Sequence, residues 1–357
     1  MPFDQASEPA AALAPEHVIP AVRQAGLISD ERLVAQGVRV EQVGRSHQVY
    51  KLSVGGQPAF FLKSFGPSRG QTDGDAACEQ IVAKLASDRP ALKAVMPEFV
   101  TWSGSDNTVV TRAVAGQAAW AIDGAIDDGN MNAWTALVAL AAPLLAASHR
   151  ATRDLAAPGA TPPAILKRPL PWVLRLFSGD GPPDLFQQPH LAGIIHRAAA
   201  EPATVKGLRD ARACWRPMCL IHGDVKHDNL LILDGRTRAV LVDWEMSQIG
   251  DPCWDLAGLA SHLSMISMRP DGWSPATFDG CAQLVRAYAA ESRLPVPALA
   301  HRLVRFMGAW LLMAAVQHRS IHASGDPDDG AGQLIAKAAA TFKSALKLEK
   351  TLIEAVR

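Results

Sequence analysis

The chain has 357 residues, 48% of them hydrophobic, and its 35 basic side chains balance 35 acidic ones to a formal charge of zero. That length supports one large domain or two lobes with separate cores, and the charge balance excludes the broad attraction that drives nonspecific nucleic-acid or membrane-surface binding. Five scattered cysteines with no C-x-x-C pair exclude a zinc site and a disulfide framework, and fit reduced thiols in a cytoplasmic protein.

Residues 1–14, rich in Ala and Pro, are expected to be disordered. They are acidic and lack the basic start and apolar core of a secretory signal. The longest apolar stretches, 133–147 and 307–316, are too short to span a bilayer and read as buried helices.

A short helix over 16–25 ends at Gly26, and an alternating region follows. Strands are predicted over 38–43, 48–54 and 58–65, with Gly55-Gly56 as the hairpin turn between the second and third. The first turn, Gly44-Arg45-Ser46-His47, is either an ordinary hairpin loop or a loop whose backbone N–H groups, at Gly44 and Ser46, cover phosphates. Lys63 stands in the apolar strand and needs a route to water or an anionic partner. Glu79 follows in a helix predicted over 75–87 and can be that partner. Two further strands, 98–103 and 108–114, precede a break at Gly116. Residues 111–114 read as a hinge, where backbone groups around Arg112 and Val114 suit recognition of an adenine edge. The expected division is thus a sheet-rich unit over 15–114 and a helical unit over 115–357.

In the second unit, 132–150 is apolar nearly all round, which marks a core helix, with His149 as a satisfied structural histidine. Residues 158–183 form a long Pro- and Gly-bearing connection, and helices are expected over 188–200 and 201–215. Further helices are predicted over 256–267, with Asp255 as N-cap, and over 274–292, 296–321 and 330–356. The acidic stretch 324–330 reads as a solvated linker or as a loop for a cationic acceptor.

The centre of the sequence lies over 219–257. Asp224 and Asp243 each follow a short apolar, strand-like run, and Asn229 stands five positions after Asp224. Phosphoryl transfer to a hydroxyl needs a carboxylate facing the nucleophile and hard oxygen ligands for a metal ion. An Asp of ordinary pKa is ionised at neutral pH, so Asp224 suits the first role. Asn229 and Asp243 suit the second, Lys226 can reach the γ-phosphate, and His222 braces the loop. No G-x-S-x-G elbow occurs, which argues against an α/β hydrolase.

The motifs HGDVKHDN, VDWE and GDPCWDLA resemble the aminoglycoside-phosphotransferase family of the protein-kinase-like fold, over about residues 35–325. LLAASHR at 144–150 is similar to that family's L-x-x-L-H helix, with Ser148 in place of leucine. The resemblance implies a bilobal α+β fold with an antiparallel-sheet lobe and a helical lobe. It implies ATP and Mg²⁺ as cosubstrate and cofactor, Asp224 as base, Asn229 and Asp243 as metal ligands, and Lys63 with Glu79 at the α- and β-phosphates. Asp251 and Asp255 resemble the family's structural acids, which hold the loop and cap the next helix. The phosphate loop is poorer in glycine than the pattern, and Lys226 departs from it toward D-x-K-x-x-N. The same motifs are similar to kinases of lanthipeptide-type biosynthesis, so the acceptor is a small molecule or a peptide Ser/Thr. A nucleotide-binding pseudokinase is the alternative of another class.

Overall fold

The computed structural model describes residues 15–43, 48–65, 73–103, 107–119, 131–181, 189–233, 235, 237–267, 269–321 and 330–357. The N-terminal stretch expected to be disordered, the turn bearing Gly44 and Ser46, and nearly all of the acidic stretch 324–330 lie outside these residues.

The chain forms two compact units, one of residues 1–117 with 232–247 and the other of 118–231 with 248–357. The first has a five-stranded antiparallel sheet: β1 (Val38–Gln42), β2 (Gln48–Val54), β3 (Gln57–Ser64), β4 (Phe99–Ser103) and β5 (Thr108–Arg112), in the order β1-β2-β3-β5-β4. Its helices are α1 (Pro15–Gln24), α2 (Asp30–Gln36), α3 (Asp73–Ser87) and the single turn α4 (Pro90–Lys93). Tyr50, Leu62 and Val110 are direct cross-strand partners, all buried, in a core that includes Val18 and Val22 of α1. Strand side chains alternate between faces, so the row next to Leu62 points the other way. That row is Val49, Lys63 and Val109. The pleat itself therefore turns Lys63 away from the α1 core.

Residues 232–247 join this unit, whereas the sequence placed everything after 115 in the helical unit. Three contacts account for the difference. Leu241 N donates to Val95 O at 2.7 Å. Cys78 Sγ of α3 reaches Trp244 O at 3.7 Å and Ser247 O at 3.4 Å. The stretch that carries Asp243 is thus held against α3.

The second unit is built around helix Val296–Ile321, which packs on helices Gly330–Lys343, Pro252–Ile266, Ala345–Val356 and Pro202–Cys214. Its stretch Val296–Gln317 is long and apolar enough to cross a membrane, but 83% of its most apolar window is buried inside the protein. Trp254, Phe306 and Trp310 pack there, with Trp254 and Trp310 ring centroids 5.2 Å apart. Offset aromatic contacts of this kind add to simple burial. Strand Cys219–Ile221 pairs antiparallel with Gln248–Gly250, which fixes both ends of the central stretch.

Two expectations are corrected. The helix after Pro252 begins at Pro252 itself, and its N-cap is Asp251, which accepts from Cys253 N at 3.0 Å. Proline suits the first helical position, where its missing N–H costs nothing, so the cap lies four residues earlier than the Asp255 expected. The predicted helix 330–356 is two helices, because the chain turns at Ser344 (φ −100°, ψ 7°). The connection 158–183 contains the turns Ala164–Leu166 and Trp172–Arg175.

Candidate active site

Lys63 and three carboxylates form a cluster within the first unit. Lys63 Nζ donates to Glu79 Oε1 at 2.9 Å and to Glu245 Oε2 at 2.7 Å, and also contacts Asp243 Oδ1 closely. The ammonium lies 4.6 Å from the centroid of the Phe65 ring. The lysine side chain is only 12% exposed, and Glu79 and Glu245 are 10% and 12% exposed. Burial works against charge on Lys63, but Glu79, Asp243 and Glu245 together outweigh it and raise its pKa well above the usual lysine value. Burial also pushes the Glu79 carboxyl up, opposed by the Lys63 charge. The amine is therefore protonated at neutral pH.

Asp243 is one of the few non-glycine residues with positive φ (φ 73°, ψ 57°). This left-handed conformation costs an ordinary residue roughly 1–2 kcal/mol, less for Asp. It turns the chain directly into the short 3-10 turn Trp244–Met246, and so brings Glu245 to the same ammonium. The Lys63–Glu79 pairing follows the sequence expectation. Glu245 was missed, although it stands in the quoted VDWE, because nothing local distinguishes it from a solvated turn acid.

The carboxylate oxygens of Glu79, Asp243 and Glu245 lie within 4.8 Å of one another. A converging set of hard oxygen donors around an existing cation fits Mg²⁺ chemistry. The Lys63 ammonium lies among these three carboxylates.

The second unit carries the loop expected to be catalytic, residues 222–229. Gly223, at φ 86°, makes a turn open to glycine and presents Asp224. Asp224 Oδ2 accepts from Lys226 Nζ at 2.6 Å and from Asn229 Nδ2 at 3.0 Å. Asn229 Nδ2 also donates to Asp224 O at 2.9 Å, and its N–H to Lys226 O at 3.0 Å, so the loop closes on itself. Asp224 N donates to His222 Nδ1 at 3.3 Å, which is the bracing role expected of that histidine. Lys226, expected at a phosphate, here pairs with the carboxylate of Asp224.

Behind the loop stands a buried polar chain. Asp255 accepts from His222 N and Gly223 N, and from His149 Nε2 at 3.1 Å. His149 Nδ1 meets Tyr288 Oη at 2.9 Å. Asp251 accepts from Arg216 N at 2.9 Å and pairs with Arg302 Nε at 3.2 Å, while burial raises its pKa against the pull of that arginine. Both acids are fully buried, and both hold backbone on either side of the central stretch.

The hinge is more fully used than its sequence suggests. Arg112 N donates to Glu98 O and Ala113 N to Ala59 O. The Arg112 guanidinium pairs with Glu98 at 2.9 Å over the ring of Phe60. These groups serve the sheet, and Val114 follows in a half-buried, irregular position.

A model of the phosphotransferase enzyme family matches residues 38–269, well over half of the chain. No curated sequence matches it. Among solved structures, an ethanolamine kinase of Plasmodium vivax aligns with a TM-score of 0.58 at 13% identity, over 90% of this chain and 88% of that one. A microcompartment-associated aminopropanol kinase aligns at 0.57 and 15% identity, over 95% and 99%. A thermostable mutant of aminoglycoside phosphotransferase APH(4)-Ia, in complex with ADP and hygromycin B, aligns at 0.55 and 16% identity, over 92% and 98%. At these identities the likeness establishes the α+β, protein-kinase-like fold. The family match establishes the class of enzyme, a phosphotransferase with a hydroxyl acceptor, and bears out the resemblance of the motifs. The chain belongs to the phosphotransferase enzyme family.

Proposed function

We propose that the protein moves the γ-phosphate of ATP, with Mg²⁺, to a hydroxyl group of a small molecule. The observation that carries this reading is the environment of Asp224. Its carboxylate is held by Lys226 and Asn229, both hydrogen-bonded to Oδ2. These two donors fix the direction of the carboxylate. In this reading Asp224 orients the acceptor hydroxyl and takes its proton as the new O–P bond forms. The bond from the γ-phosphorus to the bridging oxygen breaks, and ADP leaves with that oxygen.

Lys63, steadied by Glu79, supplies positive charge to the α- and β-phosphates. Asp243 is a metal ligand, and Asn229, whose Nδ2 is spent on Asp224, offers Oδ1 as another. A bound Mg²⁺ neutralises phosphate charge. In this reading Lys226, paired with Asp224 here, turns to the transferring phosphate once nucleotide is bound. The five free cysteines suit a reduced, cytoplasmic setting.

The small-molecule reading is preferred over a peptide Ser/Thr acceptor. Two of the structures of like fold are named for ethanolamine and aminopropanol, small molecules that bear a hydroxyl. The test is a transfer screen with labelled ATP against amino alcohols, aminoglycosides, sugars and Ser/Thr peptides. Asp224→Ala is run beside the wild type. The expected result is transfer to a small-molecule class, lost in Asp224→Ala by at least about a thousandfold, with ATP affinity retained. Transfer to peptides alone overturns the acceptor class. ATP binding without transfer to any acceptor favours a nucleotide-binding pseudokinase. Substantial transfer by Asp224→Ala overturns the base assignment.

A further inference from the structure

Helices Asn132–Ala151 and Pro275–Ser292 of the second unit meet at their C-terminal ends, where Arg150 faces Glu291 and Arg153 reaches Ser292. A cavity of about 460 Å³ opens there, lined by Arg150, Arg153, Ala290, Glu291 and Arg293. That volume suits a small molecule. The cavity shares no lining residue with the loop that carries Asp224 or with the Lys63 cluster.

Three guanidiniums against one carboxylate leave the lining with a surplus of positive charge. Arg150 Nη1 lies 3.5 Å from Glu291 Oε2, a loose pair between side chains 38% and 50% exposed. Arg153 Nη2 donates to Ser292 O at 2.7 Å. A neutral carbonyl thus fixes this guanidinium, which keeps its charge and its other N–H groups for a further acceptor. Among the described residues, the Arg293 side chain has neither a hydrogen bond nor an ion pair. Cations near a helix C-terminus offset the helix dipole, and Arg150 and Arg153 already serve these two ends. Arg293 adds a third, and does so from left-handed backbone (φ 61°, ψ 22°) at a cap position that favours glycine.

We propose that this cavity binds the phosphate group of a small molecule, held by Arg150, Arg153 and Arg293. Guanidinium forks match phosphate oxygens. A tetrahedral phosphate offers oxygens in several directions, as arginines from two chain segments require, whereas a carboxylate offers two in one plane. Glu291 opposes the anion and competes with it for Arg150. The inference stands apart from the reading of Asp224, because it uses none of that loop's residues.

The test titrates inorganic phosphate and pyrophosphate into the full chain by calorimetry, at fixed ionic strength and without Mg²⁺ or nucleotide. Arg293→Gly removes one guanidinium and relieves the left-handed backbone, so it should fold at least as well as the wild type. Its affinity for both probes is expected to fall at least about tenfold. Arg150→Ala should lose a similar factor, and Glu291→Gln should gain affinity. The wild-type melting temperature should rise with phosphate, and that of Arg293→Gly should rise less.

A wild type that takes up no phosphate at millimolar concentration overturns the proposal, as does equal affinity in the wild type and Arg293→Gly. Binding that Lys63→Met abolishes and Arg293→Gly leaves intact also overturns it, since the anion would then sit at the Lys63 cluster. Citrate bound as tightly as pyrophosphate would overturn the assignment to phosphate. Phosphate affinity lost in Arg293→Gly alongside a failed acceptor screen would remove the functional reading and leave this inference standing.

Discussion

The carboxylate of Asp255 accepts the backbone N–H of Gly223 at 2.9 Å and, through its other oxygen, the N–H of His222 at 2.8 Å. One fully buried side chain thus fixes the two peptide groups immediately before Asp224. Its own position is set by His149, which in turn meets Tyr288. Asp255→Ala would leave the buried His222 N–H, the half-buried Gly223 N–H and a buried histidine without their acceptor, at about 1–3 kcal/mol for a fully buried group. The expected outcome is a loss of several kcal/mol in urea unfolding, with a fall in turnover as the loop loosens. Tyr288→Phe removes one hydrogen bond at the far end of the chain and should cost only about 1 kcal/mol. Equal effects of the two substitutions would show that the chain does not act on the loop through Asp255.

Gly258 allows helix Pro252–Ile266 to lie directly on the loop that carries Asp224. A Cβ there would overlap Val225 O and press on the indole of Trp310. Helix propensity alone predicts that Gly258→Ala stabilises the protein by up to about 1 kcal/mol. The close approach predicts the opposite sign, a loss of about 1–3 kcal/mol. Turnover should fall as well, because Val225 is the neighbour of Asp224. Thermal melting decides between the two signs, and a more stable variant with full activity would refute the close packing.

The buried thiols give the protein an alkaline limit. Burial pushes Cys281 to about 12 and Cys214 to about 11, and raises Cys219 and Cys253 well above the usual thiol range. Burial raises the Tyr288 phenol too. An unfolded thiol titrates near 8.5. Above that pH the unfolded chain has lost protons that the folded chain keeps, so folding stability falls as pH rises. The loss should begin near pH 8.5 and continue to about 11–12. Denaturant midpoints measured across that range test this, and Cys281→Ala should flatten the slope. Native protein at pH 8 should react slowly with a thiol reagent at these positions, and unfolded protein fully at all five cysteines.

The sequence by itself determined the parts whose rules are local. Alternation put Lys63 on the face opposite Leu62, the Gly55-Gly56 pair made the predicted hairpin, and the spacing from Asp224 to Asn229 let that loop close on itself. Periodicity and turn chemistry act over a few residues, so they can be read without knowing what packs where. Tertiary structure decided which of several plausible acids does what. Asp251 caps the helix and Asp255 grips the loop, although either fits a cap by residue type. Glu245 joins Lys63 from 182 positions away. The residues 232–247 that bring it there belong with the sheet because α3 and Val95 hold them. A carboxylate's role depends on which cation or N–H it meets once buried, and the cost of burying it unpaired is what selects that partner; neither quantity exists until the chain has folded.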